Sequence, residues 1–387
     1  MNEKYLIDHT ESPFSKVIAN DDHIKNVLCR AIKKCNTNLH TPISKNINIE
    51  LRSWKKFLSK KYIKELTYYR LSKFCDFSES QIREGISYID DINNPIIPLN
   101  FNCPAGVRMD VAVINEGRTR KRIVEYTNKD KEILDLIREC SKRILGENFN
   151  PHERVDLRDQ TVCLSFPPYF AKHFIKIEIS SNKNHLQVGV PDYILKNPKY
   201  HKIWWQGNLS EEASIYAFVS SNNSFSYVVP RIQINRAKSV SLPFKFPHKE
   251  TTYYHKDLSP VFLEELKANI PKLIKDEAKM LATFGINVTP YFSKLYINKR
   301  GEQTATYSLM VSNLSGIANY FQHIGFELDR HRKQCELLMS NNGPKTNDEV
   351  RDIILKFYQL VPKYLRGNKK IKNNKWLTHK DKKDLLG

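Results

Sequence analysis

Residues 104–118 read PAGVRMDVAVINEGR, and residues 202–215 read KIWWQGNLSEEASI. Each stretch is a run of helical length that ends in an acid followed by a small residue. The two endings are Glu116-Gly117 and Glu212-Ala213, and the acids lie 96 residues apart. A solvated helix end would explain Glu211 and Glu212 taken alone, but it does not explain why a second segment ends in the same way.

The stretches that follow these two endings predict the same elements in the same order, which indicates an internal duplication. The first copy predicts a helix stopped by Gly146, a strand and a short helix, in the stretches KEILDLIRECSKRILG, TVCLSF and PYFAKHF. The second copy predicts one long helix ending at Gly285, a turn at KRGE, a strand and a helix. Its stretches are VFLEELKANIPKLIKDEAKMLATFG, ATYSLMV and SGIANYFQHIGF.

Each copy also contains a stretch of alternating polar and apolar residues, RTRKRIVEY in the first and PRIQIN in the second. A strand with this pattern has one face in a core and one face free. Taken singly, each could be an ordinary half-exposed strand. Because both put arginine on the free face, we predict a basic saddle that reads a duplex groove. The residues predicted to contact DNA here are Arg118, Arg120, Arg122, Arg231, Gln233 and Asn235.

The composition favours a polyanionic partner. The 387 residues include 62 lysines and arginines against 42 acids, a net charge of +20. Basic side chains release the counterions condensed on nucleic acid, so nucleic acid is the expected partner, with a merely soluble basic protein as the alternative. The length allows one large core or two to three ordinary ones.

Several classes of protein are disfavoured. The seven cysteines form no CxxC pair, which argues against a disulfide framework or a zinc ribbon. The start MNEKYLIDHT resembles no secretion signal and no stretch has the length of a membrane span, so we expect a soluble cytoplasmic protein that binds no membrane. No Walker-type glycine loop or Ser/His/Asp arrangement is present, and His323 and His331 are interpreted as surface or groove residues.

The regions outside the duplication are predicted to be helical or basic. Residues near the N-terminus have helical spacing, and Ser78 with Gln81 is a capping-box pattern that opens a helix SQIREGISYI. Two short helices about this turn could be a helix-turn-helix or an ordinary turn. The run RGNKKIKNNKWLTHKDKK at the other end is expected to be solvated or disordered, and compatible with phosphate contacts.

These boundaries predict four parts. They are a helical N-terminal domain (1–98) that could bind DNA, a first half (99–200), a second half (201–341), and a C-terminal helix with a basic tail (342–387). The chain begins at a methionine and has no His-Asn ending, so a free-standing protein is expected rather than one embedded in an intein.

Over residues 100–340 the sequence resembles the LAGLIDADG (DOD-type) homing endonucleases in their free-standing form with two motif copies. The resemblance rests on the two acid-ended stretches together with other segments. These are YTNKDKEILDLIRECSKRILG, PDYI, QGNLSEEAS and NYFQHIGFELDRHRKQCELL.

The resemblance implies an α/β (α+β) class with a pseudo-twofold duplicated homing-endonuclease fold. In that fold two antiparallel, saddle-shaped sheets are paired and the two motif helices pack together at the centre, so that their last acids meet. Glu116 and Glu212 take the acid positions. Glu212 is preferred because such acids lie five residues after the motif glycine, here Gly207, although Glu211 could substitute for it.

The activity implied by the resemblance is site-specific cleavage of double-stranded DNA by a monomeric, intron-encoded enzyme. One carboxylate from each motif would hold Mg²⁺ or Mn²⁺, which supplies an activated water and neutralises developing charge. The family also places a basic residue near each metal. Lys333 is the catalytic candidate for one half, with Arg330 and Arg332 beside it as DNA contacts, and Lys172 is a weaker candidate for the other half.

Two departures from the family's motif leave a second function open. Arg108 and Asp110 stand where small or apolar residues are usual, and Ala213 replaces a final glycine. Charges on a packed motif helix are expected to face outward or to strain the interface, while Trp204 and Trp205 are expected to anchor a core. The alternative function is a cleavage-deficient DNA- or RNA-binding protein, a regulator or an intron maturase, on the same scaffold.

Overall fold

The computed structural model describes residues 6–7, 16–90, 92–120, 123–177, 189–221, 225–243, 250–366 and 368–386. The fold is mixed α/β with several antiparallel sheets. The described residues form two compact units: unit 1 lies within Met1–Val113, Gly117–Asn128 and Leu134–Ser181, and unit 2 within Ile114–Glu116, Lys129–Ile133 and Asn182–Gly387. The predicted four-part division is finer and stays a prediction. Among the described helices, none combines the length and apolarity needed to cross a membrane.

The N-terminal part of unit 1 consists of helices around a small sheet of order β3-β2-β4-β5, while β1 pairs with β6. The elements are β1 (Leu6–Ile7), β2 (Lys16–Ala19), α1 (Asp21–Cys35), α2 (His40–Asn46), α3 (Leu51–Leu58), β3 (Ile63–Lys64), α4 (Glu65–Phe74), α5 (Glu79–Glu84), β4 (Ile86–Ile89), β5 (Ile92–Asn93) and β6 (Leu99–Asn100).

Local signals explain where two of these helices begin. Asn20 caps α1 by accepting a hydrogen bond from the backbone N–H of His23. The capping box at Ser78 and Gln81 is confirmed, but α5 ends at Glu84 and the chain continues as strand β4, so the predicted helix was too long. The helical spacing near the N-terminus does not correspond to one continuous helix, because α3 ends at Leu58 and α4 begins at Glu65.

The remainder of unit 1 follows the first acid-ended stretch. Its four-stranded sheet has the order β7-β8-β10-β9. The elements are α6 (Pro104–Asn115), β7 (Gly117–Arg120), β8 (Ile123–Asn128), α7 (Lys131–Leu145), β9 (His152–Asp156), β10 (Thr161–Phe166) and α8 (Pro168–Lys176). The last residues of α6 and the first residues of α7 belong to unit 2.

Two features of this region compare directly with the prediction. The α7 helix ends at Leu145, immediately before Gly146, whose φ of +120° is open to glycine and strained for other residues, as predicted. The single strand predicted over RTRKRIVEY was wrong. The chain forms two strands there, with β7 paired antiparallel to β8 from Gly117–Tyr126 to Arg120–Ile123. Arg118 and Arg120 lie on β7, and Arg122 lies outside the described residues.

Unit 2 is built on a six-stranded antiparallel sheet of order β11-β12-β15-β14-β13, and β16 pairs with β12. Its helices are α9 (Asp192–Leu195), α10 (Pro198–Glu211), α11 (Pro260–Ala268), α12 (Lys272–Ala282), α13 (Leu314–Asn319), α14 (Asp329–Met339), α15 (Asn347–Gln359), α16 (Asn368–Lys372) and α17 (His379–Leu386). Its strands are β11 (Ser214–Ser221), β12 (Ser226–Val240), β13 (Thr251–Tyr254), β14 (Tyr291–Ile297), β15 (Gln303–Val311) and β16 (Pro344–Lys345).

Both larger sheets pair two hairpins in the same way. In the first sheet the hairpin β7-β8 pairs with the hairpin β9-β10 through β8 and β10, which gives the order β7-β8-β10-β9. In the second sheet the hairpin β11-β12 pairs with the hairpin β14-β15 through β12 and β15, which gives the order β11-β12-β15-β14. In each case a helical segment separates the two hairpins and another helix follows them. The order of these elements therefore agrees along both segments, except that the second segment has an additional strand, β13, before its helices α11 and α12.

Two predictions for unit 2 were wrong. The long helix predicted over VFLEELKANIPKLIKDEAKMLATFG is two helices, because Pro271 lacks the N–H that a continuous helix requires at that point. The tail expected to be solvated is folded as α16 and α17. Ile371, Leu377 and Leu385 are buried there, and Arg351 donates two hydrogen bonds, of 2.7 and 2.8 Å, to the Asp381 carboxylate.

Candidate functional site

The two acid-ended stretches are helical up to their acids, as predicted. The α6 helix ends at Asn115, so Glu116 is the first residue beyond it, and its side chain is exposed. The α10 helix ends at Glu211, with Glu212 as its C-cap, and both of these side chains are half-buried. The backbone N–H of Glu212 donates to the carbonyl of Asn208 across 2.9 Å, so the position of Glu212 depends on that of Asn208.

The ends of α6 and α10 are joined by a buried amide pair within unit 2. Nδ2 of Asn115 donates to Oδ1 of Asn208 at 2.9 Å. Asn115 immediately precedes Glu116, and Asn208 lies one helical turn before Glu212. The structure therefore brings together the two segments from which the predicted acids project.

Arg236, on the core face of β12, binds both of these asparagines. Its Nη1 donates to Oδ1 of Asn115 at 2.6 Å, and its Nη2 donates to Oδ1 of Asn208 at 3.0 Å. The guanidinium is planar and presents its N–H groups in a fixed fork, so the two bonds fix the relative position of the two amide side chains.

Glu277 of α12 neutralises this arginine. Its carboxylate is fully buried and accepts from Nε of Arg236 at 3.1 Å and also from Nη2. It accepts further bonds from Nδ2 of Asn208 at 3.0 Å and from Nε1 of Trp204 at 3.4 Å. A buried ion pair is tolerated when its hydrogen-bonding groups are satisfied in this way. Asn115, Asn208, Arg236 and Glu277 are together called the Arg236 network.

The chemistry at the helix ends suits a hard divalent cation. A helix C-terminus carries partial negative charge on its unpaired carbonyls and favours cations. Glu116 and Glu212 add carboxylate oxygens, the ligand type that Mg²⁺ prefers, and Mg²⁺ usually accepts one or two protein carboxylates while keeping several waters. Within the described parts of the chain, no cluster of three or more His, Cys, Asp or Glu side chains could hold a metal. Metal binding by Glu116 and Glu212 stays a prediction.

The alternation predicted for residues 230–235 is confirmed. Ile232 and Ile234 are buried, while Arg231, Gln233 and Asn235 lie on the more open face of β12. Nε2 of Gln233 donates to Oδ1 of Asn235 at 2.9 Å, which orders the two amides along the strand. The roles of these three residues in DNA binding stay predictions.

Aromatic rings lie among the polar side chains of this face. The guanidinium of Arg231 is 3.3 Å from the ring centroid of Phe218 on β11, and Lys370 of α16 lies 4.9 Å from the ring of Tyr216. Cation–π contacts of this kind hold a charge in place without cancelling it. The open face of the β11–β12 hairpin therefore presents oriented positive charge.

The arginines predicted in the first half are only partly described. Arg118 is exposed and forms an ion pair with Glu125 at 2.5 Å. The backbone of Arg120 belongs to β7, but its side chain lies outside the described residues, as does the whole of Arg122. The predicted DNA contacts of all three stay predictions.

The basic residues at the start of α14 take part in ion pairs. Arg330 is largely buried and pairs with Asp130, and with Glu132 at 3.4 Å. Lys333 pairs with Asp329 at 2.7 Å, and Arg332 also pairs with Asp329. Hydrogen bonds from Lys333 and then Arg332 lower the pKa of the Asp329 carboxyl. The catalytic role of Lys333 and the DNA contacts of Arg330 and Arg332 stay predictions.

His331, in the same helix, was expected at the surface or in a groove. Its ring is mostly withdrawn from solvent, and its Nδ1 is buried without a hydrogen-bond partner. Burial lowers its pKa to about 3, and the charge of Arg330 adds to this effect. The ring is therefore neutral at physiological pH and is a packing residue here.

The charges within the first acid-ended stretch do not face outward, so the first of the two expected alternatives was wrong. Arg108 and Asp110 are both buried. Asp110 pairs with Nε2 of His173 at 2.6 Å, and the His173 ring stacks on Phe101 with centroids 3.6 Å apart. The polar group is accommodated in the core of unit 1 because a partner is buried with it.

Two further expectations have different outcomes. Lys172 is buried and pairs with Glu65 at 3.3 Å within unit 1, and its proposed place near a metal stays a prediction. Trp204 and Trp205 are confirmed as core anchors, with relative exposures of 0% and 1%.

Sequence reasoning missed the Arg236 network, although one signal was present. In β12 the residues of the apolar face have even numbers, and Arg236 continues the series begun by Ile232 and Ile234. A charged residue at an apolar position requires a buried partner of opposite charge. Glu277 could have been sought on that ground among the predicted helices.

Comparison with known proteins adds little. No protein-family model matches the chain, and no curated protein matches it significantly. Among solved structures, the chain is similar to meganuclease I-SmaMI bound to uncleaveable DNA with a TTGT central four. That similarity has a TM-score of 0.34 and 12% sequence identity, and it covers 66% of this chain and 97% of that chain. At this level it assigns neither fold nor function, so both depend on the residues described above.

Proposed function

We propose that this chain is a site-specific DNA endonuclease that cuts both strands of a duplex with Glu116 and Glu212 as its two acids. The observation that carries the proposal is the 2.9 Å hydrogen bond between Asn115 and Asn208. It joins the two helix ends from which the acids project. One acid from each motif would serve one strand, so a monomer would suffice.

A duplicated homing-endonuclease fold is part of this proposal. It is supported by the shared strand order, β7-β8-β10-β9 and β11-β12-β15-β14, and by an order of elements that agrees apart from the additional strand β13. The pseudo-twofold pairing of the two sheets stays a prediction.

Double-stranded DNA is the proposed partner. The net charge of +20 favours a polyanion. The open face of the β11–β12 hairpin offers Arg231, Gln233 and Asn235 for contacts to phosphates and base edges, since strands can read a groove in this way. A cytoplasmic location accompanies the proposal.

In the proposed reaction Glu116 and Glu212 hold Mg²⁺ or Mn²⁺. When bound, the cation supplies an activated water nucleophile and neutralises charge on the phosphate. The Arg236 network fixes the backbone from which both acids project, and the negative ends of α6 and α10 favour the cation.

The alternative is a DNA- or RNA-binding protein that does not cut, a regulator or an intron maturase. The pairing of Lys333 with Asp329 favours it, because a catalytic ammonium group would first have to leave that carboxylate. The open face of the β11–β12 hairpin would bind nucleic acid equally well in this alternative.

The deciding experiment selects cleaved duplexes from a randomised library in the presence of Mg²⁺. Wild-type protein is compared with Glu116→Gln and Glu212→Gln, and the neighbouring Glu211→Gln is the matched control. We expect both site variants to lose cutting while they keep DNA affinity, and the control to cut. Wild-type protein that binds duplex but never cuts it would establish the alternative.

A further inference from the structure

The N-terminal part of unit 1 contains a second basic surface, on α3. This helix follows α2 after a connection of only four residues, 47–50. Trp54 and Phe57 are buried, and Nε1 of Trp54 donates to Nδ1 of His40 on α2 at 2.9 Å. The apolar face of α3 is thereby fixed against its neighbours, so the orientation of the opposite face is set.

The opposite face is uniformly basic. Arg52, Lys55 and Lys56 are exposed, and their spacing of three and four residues puts them on one side of the helix. Lys60 and Lys61 continue the exposed basic run beyond the helix end. The stretch Leu51–Lys64 contains six basic residues and no acid.

This composition is unusual for a merely solvated helix, which ordinarily mixes both signs of charge. The helix α5, which begins at the capping box and was considered for a helix-turn-helix, carries charges of both signs. It has six residues and carries Glu79 and Glu84, and the Glu79 carboxylate pairs with Lys73 at 2.6 Å. The uniform positive face belongs to α3.

The dimensions and connectivity of α2 and α3 suit a duplex. An α-helix is about 10–12 Å across with its side chains, and the major groove of B-DNA is about 12 Å wide. In a helix-turn-helix the second helix enters that groove while the first crosses the backbone. The hydrogen bond between Trp54 and His40 joins α3 to the start of α2.

We propose that α3 is a second DNA-binding element, separate from the strand face of unit 2. Arg52, Lys55 and Lys56 contact the phosphates that border the groove into which α3 inserts. Each such contact releases counterions and so makes binding more sensitive to salt. These contacts affect DNA affinity alone, whether or not the chain cuts DNA.

The test measures the affinity of the full-length protein for a long duplex of mixed sequence over a range of salt concentrations, without divalent metal. The triple variant Arg52→Gln, Lys55→Gln, Lys56→Gln is compared with a matched control on α1 and α4: Lys25→Gln, Lys33→Gln, Arg70→Gln. All six of these side chains are exposed. Both variants therefore lose the same charge.

We expect the α3 variant to lower the slope of log affinity against log salt by about 2–3, since each phosphate contact contributes about 0.9. The control should change the slope by less than about 1. A third variant, Arg52→Lys, Lys55→Arg, Lys56→Arg, keeps the charge and should bind as the wild type does.

Three results would overturn the proposal. The first is a salt slope that is equal for the α3 variant and its control. The second is loss of binding in the charge-retaining variant. The third is a difference between the α3 variant and its control that is seen with duplex RNA but not with duplex DNA. Failure of the protein to cut DNA leaves this measurement unchanged, so the two proposals can fail separately.

Discussion

Oδ1 of Asn208 accepts hydrogen bonds from both Nδ2 of Asn115, at 2.9 Å, and Nη2 of Arg236, at 3.0 Å. One amide oxygen on α10 therefore joins the end of α6 to the central strand of the unit 2 sheet. Because the group is buried, its partners cannot be replaced by bulk water when one is removed. This arrangement makes the two helix ends sensitive to changes that lie outside the acids themselves.

The ion pair in the Arg236 network predicts a large asymmetry between single and double substitutions. Arg236→Met leaves the Glu277 carboxylate buried and uncompensated, so we expect a loss of about 3–5 kcal/mol in unfolding free energy. Glu277→Met should cost a similar amount. The double variant should lose much less than the sum of the two, because neither charge remains unpaired. Denaturant unfolding measures all three, and additive losses would show that the pair is not coupled.

Asn208 predicts an effect on cutting that exceeds its effect on DNA binding. Asn208→Ala removes the contacts with Asn115 and Glu277, so the backbone that carries Glu212 should shift. We expect the single-turnover cleavage rate to fall at least about tenfold, since a misplacement of about 1 Å can cost a hundredfold. DNA affinity should change little.

The control for that measurement is Gln206→Ala on the same helix. Gln206 donates to the carbonyl of Ile324 at 2.8 Å and does not belong to the Arg236 network. Equal cleavage rates for the two variants would mean that the network has no positioning role.

His23 predicts a dependence of stability on pH. Burial, with a smaller effect of the Arg30 charge, lowers its pKa in the folded protein from 6.5 to about 4. The unfolded chain takes up the proton first as pH falls, so this contribution to stability is complete above about pH 6.5 and is lost progressively towards pH 4.

Comparing the unfolding free energy at several values of pH in that window tests the prediction. His23→Gln should reduce the slope without abolishing it, because burial also lowers the pKa of His331, to about 3. His152→Gln, which alters an exposed histidine of the same unit, should leave the slope unchanged. A slope in His23→Gln equal to that of the wild type would assign the effect to other groups.

The parts of the structure that sequence could predict are those set by local signals. Alternation placed Ile232 and Ile234 in the core, and Gly146 stopped its helix at the expected residue. The hairpin at residues 117–128 could not be recognised from alternation alone, because two short strands have the same period as one longer strand.

Non-local pairing limited the prediction of the site. Burial of Asp110 depends on His173, and Arg236 depends on Glu277, which lies 41 residues away. The C-terminal run looked too polar to fold, yet a few apolar residues and the bond between Arg351 and Asp381 dock it onto α15. Such partners are separated in the chain, so no short window of sequence contains both.

Arg231 provides the prediction that tests the strand face of unit 2. Its guanidinium is held over the Phe218 ring, so its position is ordered before any partner binds. If it contacts a phosphate, Arg231→Gln should lower the slope of log affinity against log salt by about 1 and weaken binding to all duplexes alike. If it contacts a base edge, the loss should instead be confined to particular sequences. The control is Arg300→Gln, in the exposed turn between β14 and β15. Binding curves in which the two variants coincide would exclude this face as the DNA contact, because they remove the same charge from the same unit.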